Sequence, residues 1–318
     1  MYSIKKLTDE IIEGRRLTRE DDTSFFETCP LDELTAGADR VRSHFSGDKV
    51  DLCTIISGKS GNCGENCRFC AQSAHNHTGC DVHALLDYDT IYKEASSNEK
   101  EGVDRFAIVI SGKSPSDSDF EKIIEIYTRL KRELSISLCA SLGFLTSEQF
   151  ERLYAAGVRS YHNNIETSRR YFPSICTTHS FQDKLDNIRR AQAAGLSVCS
   201  GGIIGMGETF DDRKDMAFTL SELNISSIPI NALIPIPGTP LEGLKSLSED
   251  DILRAVAMFK LINPESDIRL AAGRRLIRDN GMPAFSCGAS ASITGNMLTT
   301  SGSTIQSDIQ SLRRMNRF

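Results

Sequence analysis

Between Val50 and Thr300, short apolar and β-branched runs alternate with longer amphipathic stretches, the pattern left by repeated strand and helix units around a parallel sheet. Runs near residues 53–57, 105–111, 136–142, 160–166, 198–204, 228–234, 268–272 and 291–294 read as strands. The stretches between them carry helix punctuation. Ser147 leads Glu148 to Ala156 with Gly157 as the stop, Ser180 and Asp183 open a helix that ends at Gly195, and Ser248 pairs with Asp251. Eight such units close most economically as a (β/α)8 barrel, although a sheet open on one side would leave the same pattern. Residues 1–46, with Leu31, Leu34, Ala38 and Val41 at helical spacing, read as a helical extension ahead of a barrel spanning 47–300. The polar tail, 301–318, is compatible with an ordered or a loose segment.

Composition narrows the class. A chain of 318 residues with 39% hydrophobic content can bury one large core. Nothing approaches the roughly 20 apolar residues that cross a bilayer, and Met1 to Arg16 is charged every few positions, so a cytoplasmic location is expected. Ten cysteines in such a chain point to metal or redox chemistry rather than to a disulfide framework. The net charge of -6, with both signs interspersed, argues against nucleic-acid or membrane partners.

The richest chemistry lies in one loop, Cys63-Gly64-Glu65-Asn66-Cys67-Arg68-Phe69-Cys70, just past the first strand. Structural iron–sulfur clusters normally take four thiolates and structural zinc takes paired clips or histidine, and this spacing suits neither. Three thiolates hold a four-iron cluster while leaving one iron open to a ligand. The competing reading is zinc on the same three cysteines, with His75, His77 or Cys80 as fourth ligand.

Further motifs bring in a resemblance. Cys70-Ala71-Gln72-Ser73-Ala74, Tyr161-His162-Asn163-Asn164-Ile165-Glu166-Thr167-Ser168, Val198-Cys199-Ser200-Gly201-Gly202-Ile203-Ile204-Gly205-Met206-Gly207-Glu208-Thr209, Pro229-Ile230-Asn231-Ala232-Leu233, Pro237-Gly238-Thr239-Pro240-Leu241, Arg269-Leu270-Ala271-Ala272-Gly273-Arg274 and Leu298-Thr299-Thr300 stand in one order along the chain. With the cysteine loop, this order resembles the biotin synthases, a branch of the radical S-adenosylmethionine (SAM) enzymes, from about residue 40 to 300.

The resemblance implies a [4Fe-4S] cluster on Cys63, Cys67 and Cys70 whose open iron chelates SAM. Reductive cleavage then gives a 5′-deoxyadenosyl radical that takes hydrogen from dethiobiotin, and a second cluster inside the barrel gives up the sulfur. By the same resemblance Phe69 lies against the adenine, Gly201 and Gly202 let backbone approach the nucleoside, and Asn164 and Glu166 meet the ribose. Lys184 stands where an arginine usually pairs with the SAM carboxylate, keeping the charge but losing the bidentate fork. Asn163, Asn231, Thr299 and Thr300 fall among the substrate contacts, the alternative for each being an ordinary barrel-end hydrogen bond. His162 is open to the same two readings. A flavodoxin or ferredoxin electron donor, the iron–sulfur assembly machinery and a homodimer complete the implied partners.

The chain departs from the family pattern at the sulfur donor, which well-known members hold with three cysteines and an arginine on strands two, three, five and seven. Cys139, Cys199 and Arg269 match, but strand two has Ala107, and an additional cysteine, Cys53, appears on strand one. Side chains on alternate strands of a barrel share a layer, so Cys53, Cys139, Cys199 and Arg269 can surround one object. An auxiliary cluster of four irons rather than two is expected there, with the protonated Arg269 neutralising charge or donating to sulfides. The alternative is that Cys53 is a small buried apolar residue. Cys80 and Cys287 are outside candidates, and Cys29 and Cys176 read as structural. Three rival functions remain: a related radical enzyme acting on another small molecule, a cluster scaffold or sensor without turnover, and an ordinary zinc-stabilised barrel enzyme.

Overall fold

The apolar runs close into a ring of parallel strands. The computed structural model describes residues 3–295 and 303–318. Its strands are β1 (Asp51–Lys59), β2 (Arg105–Ile110), β3 (Ser137–Ser141), β4 (Ser160–His162), β5 (Ser197–Cys199), β6 (Gly202–Ile204), β7 (Ser227–Ala232), β8 (Asp267–Leu270) and β9 (Ala291–Ile293). They pair in the order β5-β4-β3-β2-β1-β9-β8-β7-β6, and a further pairing of β5 with β7 shuts the barrel. The run expected as one fifth strand is thus two short pieces. Ser200 and Gly201 divide it, because the backbone there presses onto β7, where a Cβ on Gly201 would lie 1.9 Å from the Pro229 carbonyl oxygen. Eight barrel positions therefore hold nine strand segments.

The helices begin where side chains satisfy their first amides. Ser180 with Asp183 and Ser248 with Asp251 form capping boxes as expected, and Thr209 with Asp212 adds another. The helix Ser147–Ala155 is instead capped by Thr146, whose side chain accepts from the Gln149 amide while Gln149 reaches back. Each such cap contributes about 1 kcal/mol.

The N-terminal extension forms the helices Ile4–Ile12 and Leu31–Ser46, and Leu34, Ala38 and Val41 are fully buried against the barrel helix Glu249–Ile262. From residue 303 the tail is ordered: the helix Ile305–Arg314 buries Asp308, which accepts from Arg274 at 2.8 and 3.1 Å and from Thr294 at 2.6 Å. Farther on, the Arg317 carbonyl accepts from the Val50 amide, so this segment braces the barrel wall along its length. Among the described residues, no helix is long and apolar enough to cross a membrane.

Candidate active site

Because all strands run the same way, position along a strand is height in the barrel. A cavity of about 560 Å³ runs up its inside. Its floor is charged. Asp51, the first residue of β1, accepts from Arg105 Nε at 3.0 and 2.8 Å and from the buried Arg269 guanidinium at 2.5 Å. The other Arg269 nitrogens donate to Ser227 Oγ at 3.1 Å and to the carbonyls of Asp51 and Ser292 at 3.3 and 3.2 Å. Burial alone would push the Asp51 carboxyl up, but Arg269 and Arg105 overcome it and hold the group below the usual carboxylate range. Burial likewise works against the Arg269 charge, and Asp51 more than restores it. The Arg269 side chain is therefore a fixed cation, with no lone pair to offer a metal.

Two residues higher on β1 and β2, the layer turns from charge to sulfur. Cys53 and Cys139 are buried together with Ala107 between their strands, and Cys199 faces the same cavity. The neighbouring Cys139 thiol, together with burial, raises Cys53, while the same neighbour lowers Cys139 against the opposing effect of burial. Burial raises Cys199, whose thiol lies 3.7 Å from Ser227 Oγ, the same oxygen that accepts from Arg269. These three sulfurs and Arg269 meet in one chamber, and the alanine on β2 sits beside the cysteine on β1 that the usual pattern lacks.

The mouth of the cavity is formed by the loop after β1. Cys63 is tied down by its amide to the Gln72 carbonyl and by its carbonyl to the Ala74 amide, and Asn76 Nδ2 donates to the Cys67 and Cys70 carbonyls. Cys63, Phe69 and Cys70 line the cavity, and burial pushes the Cys70 thiol up to about 11. Cys67 does not join them: its Sγ lies 3.7 Å from Cys176 Sγ, outside the cavity lining. Among the described residues the soft-ligand group is Cys67, Cys176 and His179, so His75, His77 and Cys80 do not assemble a zinc site with the loop cysteines. Cys176, expected to be merely structural, is thus drawn beside a loop cysteine.

Across the mouth, Glu166 adopts φ 71°, a left-handed conformation that costs a non-glycine residue about 1–3 kcal/mol. It is held there because its carbonyl accepts from Ile203 and its amide donates to Gly201. The carboxylate faces the cavity, and its Oε2 is buried without a partner. Burial raises the Glu166 carboxyl, opposed by Lys184, whose Nζ lies 3.9 Å from Oε1. Asn164 also lines the cavity, with Oδ1 accepting from the Gly201 amide at 3.0 Å. Asn163 Oδ1 and Ser200 Oγ are likewise buried and unpartnered. A boxed-in carboxylate oxygen and amide oxygen beside a thiol-rich loop are the acceptors a diol or an ammonium group would satisfy, so the residues fit a cluster-bound nucleoside.

Other expected contacts are distributed differently. Gly201 and Gly202 do not line the cavity. A Cβ on Gly202 would sit 2.3 Å from the Glu166 carbonyl oxygen, so neighbouring strands demand both glycines. Asn231 lines the wall, but its amide already bridges the Gly202 carbonyl at 3.1 Å and the Ala272 amide at 3.1 Å. His162 also faces the cavity, and burial, with Lys184 and Arg269, lowers it to about 4. Thr299 and Thr300 lie outside the described residues. Asp51 and Arg105 were missed from sequence. Their signal was an ionisable residue two places before an inward-facing layer position on each strand.

The radical SAM superfamily profile matches residues 59–220, and that of the biotin and thiamin synthesis associated domain matches residues 229–317. The chain is 54% identical over 312 residues to a biotin synthase from Alkaliphilus metalliredigens, covering 98% of both, and 55% identical to one from Clostridium beijerinckii, covering 94% of this chain and 95% of the other. The chain belongs to the biotin synthase family. Its barrel is shared with a methylornithine synthase of solved structure, at TM-score 0.85 and 21% identity over 98% of this chain and 96% of that one, a likeness of fold alone. As a radical SAM enzyme of this family, the chain is expected to bind SAM and a [4Fe-4S] cluster, and the donors at the cavity mouth are compatible with both.

Proposed function

We propose that this chain converts dethiobiotin to biotin, drawing sulfur from an auxiliary cluster that Cys53, Cys139 and Cys199 hold above Arg269. The observation that carries this reading is one cavity with cysteines at both ends: Cys63 and Cys70 at the mouth, Cys53, Cys139 and Cys199 near the floor. Such a space lets a substrate lie between the two sulfur-bearing ends while the walls exclude water and stray hydrogen donors. When bound, the mouth cluster with SAM supplies hydrogen-atom abstraction and the inner cluster supplies sulfide.

The chain's own residues bind and orient. Cys63 and Cys70, joined by Cys67 once it turns from Cys176 toward the cavity, hold the mouth cluster. Glu166 and Asn164 accept from the ribose, Phe69 covers the adenine, and Lys184 pairs with the amino-acid carboxylate. Asn163, Asn231, Thr299 and Thr300 contact dethiobiotin in this reading. Arg269, pinned by Asp51, places a permanent positive charge under the thiolate layer, offsetting the negative charge of an iron–sulfur centre. Four irons suit the layer, since three sulfurs and a cation surround it and arginine is a poor ligand. The reducing electron comes from a flavodoxin or ferredoxin, and the clusters come from the iron–sulfur assembly machinery. A cytoplasmic homodimer belongs to the same reading.

The test is anaerobic turnover of the reconstituted chain with SAM, a reductant and dethiobiotin, followed by mass spectrometry. Biotin accompanied by 5′-deoxyadenosine is the expected result. SAM cleavage without biotin or a thiolated intermediate would overturn the substrate and leave a related radical enzyme in its place. No cleavage at all would favour a scaffold.

A further inference from the structure

Behind the cysteine loop, on the side away from the cavity, three ligating groups converge, with a carboxylate against the third. Cys67 Sγ is 3.7 Å from Cys176 Sγ, and Cys176 Sγ is 3.4 Å from His179 Nδ1, which in turn contacts Glu65 Oε2. Cys176, His179 and Glu65 are all buried. The set is built rather than accidental. Thr178 Oγ1 donates to Glu65 Oε2 at 2.8 Å, and Asn66 Oδ1 accepts from the amides of Thr177 and Thr178 at 2.9 and 3.3 Å, clamping segment 175–179 onto the loop. The rings of Phe144 and Phe172 pack edge-on against His179 at 5.1 and 5.5 Å and fix its orientation.

We propose that Cys67, Cys176 and His179, the last oriented by Glu65, form a site for a soft divalent cation, Zn2+, whose occupancy excludes the iron–sulfur cluster. Two sulfurs at about 2.3 Å from one tetrahedral zinc stand roughly 3.8 Å apart, and the separation between Cys67 and Cys176 is close to that edge. Two thiolates and an imidazole, with a water in the fourth position, match the ligand preference of zinc. The cation replaces the two thiol protons, which pass to solvent, while the imidazole stays neutral and keeps one ring N–H. The exclusion follows from Cys67, which cannot face Cys176 and the cavity at once. This second part rests on the reading of Cys67 as a cluster ligand, whereas the cation site does not. The site gives the cluster-free chain a state in which a bound cation withholds one of the three loop thiolates from iron.

The experiment uses the full-length, cluster-free, reduced chain under anaerobic conditions, with Co2+ as the spectroscopic probe and Zn2+ as competitor. The Cys63→Ser/Cys70→Ser background removes the other loop thiolates. In it, tetrahedral cobalt bands with thiolate charge transfer are expected and should be displaced by Zn2+. Cys176→Ser and, separately, His179→Ala should each weaken that binding by at least about 100-fold, the upper end of what loss of a mere supporting contact costs. Titrations unchanged by both substitutions would overturn the cation site. A second arm loads Zn2+ onto the parent before iron and sulfide are added. Iron taken up should fall, and Cys176→Ser should restore it. Zinc inhibition that persists in Cys176→Ser would overturn the exclusion. If the zinc-free parent fails to gain iron at the loop, the cluster reading of Cys67 fails, and the exclusion with it, while the cobalt arm still decides the cation site.

Discussion

Replacing Asp51 by asparagine removes the one carboxylate that joins Arg105 and Arg269 under the cysteine layer. Asp51 accepts from both guanidiniums at 2.5 to 3.0 Å, and the Arg269 side chain is only 4% exposed. In Asp51→Asn that buried cation keeps three contacts to neutral groups but loses its counter-charge. Breaking a buried ion pair by removing one partner costs about 3–5 kcal/mol. Asp51 and Arg105 retain some exposure, at 21% and 34%, so the low end, about 3 kcal/mol, applies. A chain of this length unfolds with an entropy near 0.7 kcal/mol per kelvin, so the midpoint should fall by about 4 °C. The assay is anaerobic thermal unfolding of the reduced, cluster-free chain at neutral pH, with Arg105→Gln as a milder comparison. The Asp51 carboxyl is depressed by its partners, so its contribution is complete above the ordinary carboxylate pKa near 4 and disappears as pH falls through the lower folded value. The parent and Asp51→Asn should therefore converge in strong acid. A midpoint shift under about 1 °C at neutral pH would refute the reasoning.

Two further outcomes follow from the cavity wall. Glu166→Gln keeps the side chain's size at the cavity mouth, where Oε2 has no protein partner, and should weaken SAM binding by about tenfold, the cost of one charge-assisted hydrogen bond pair, read by equilibrium binding to the reconstituted chain. His162 is lowered to about 4 by burial, so it is neutral in the folded cluster-free chain where the unfolded chain is protonated. Stability should be flat above about pH 6.5 and fall as pH drops toward 4, by at most about 3 kcal/mol, and His162→Asn should flatten that slope in an unfolding series across pH.

Much of this was legible in residues. The eight strand runs were visible because buried parallel strands are continuously apolar, and the Ser180 and Ser248 caps because capping chemistry is local. The split of the fifth run was not visible, since it arises from the approach of Gly201 to the Pro229 carbonyl, a contact between distant segments. That Cys53, Cys139 and Cys199 face one chamber could be inferred, because barrel geometry converts strand number and register into height, but Arg269 sits beneath them on the floor with Asp51. Asp51 and Arg105 were passed over because a charged residue at a strand's start usually faces solvent, and only the closed barrel turns both inward. Cys176 read as structural because its partner, Cys67, lies far away in sequence and the fold alone joins them. Asn231 illustrates the reverse difficulty: family position suggested a ligand contact, while the folded chain also engages both ends of its amide with backbone.

The most direct test counts iron and acid-labile sulfide per chain after anaerobic reconstitution, in the parent and in Cys53→Ala. With a four-iron cluster at the mouth and another held by Cys53, Cys139 and Cys199, roughly eight irons should fall to about four. About six irons, unchanged by the substitution, would contradict the assignment and leave Cys53 a buried thiol beside a two-iron centre.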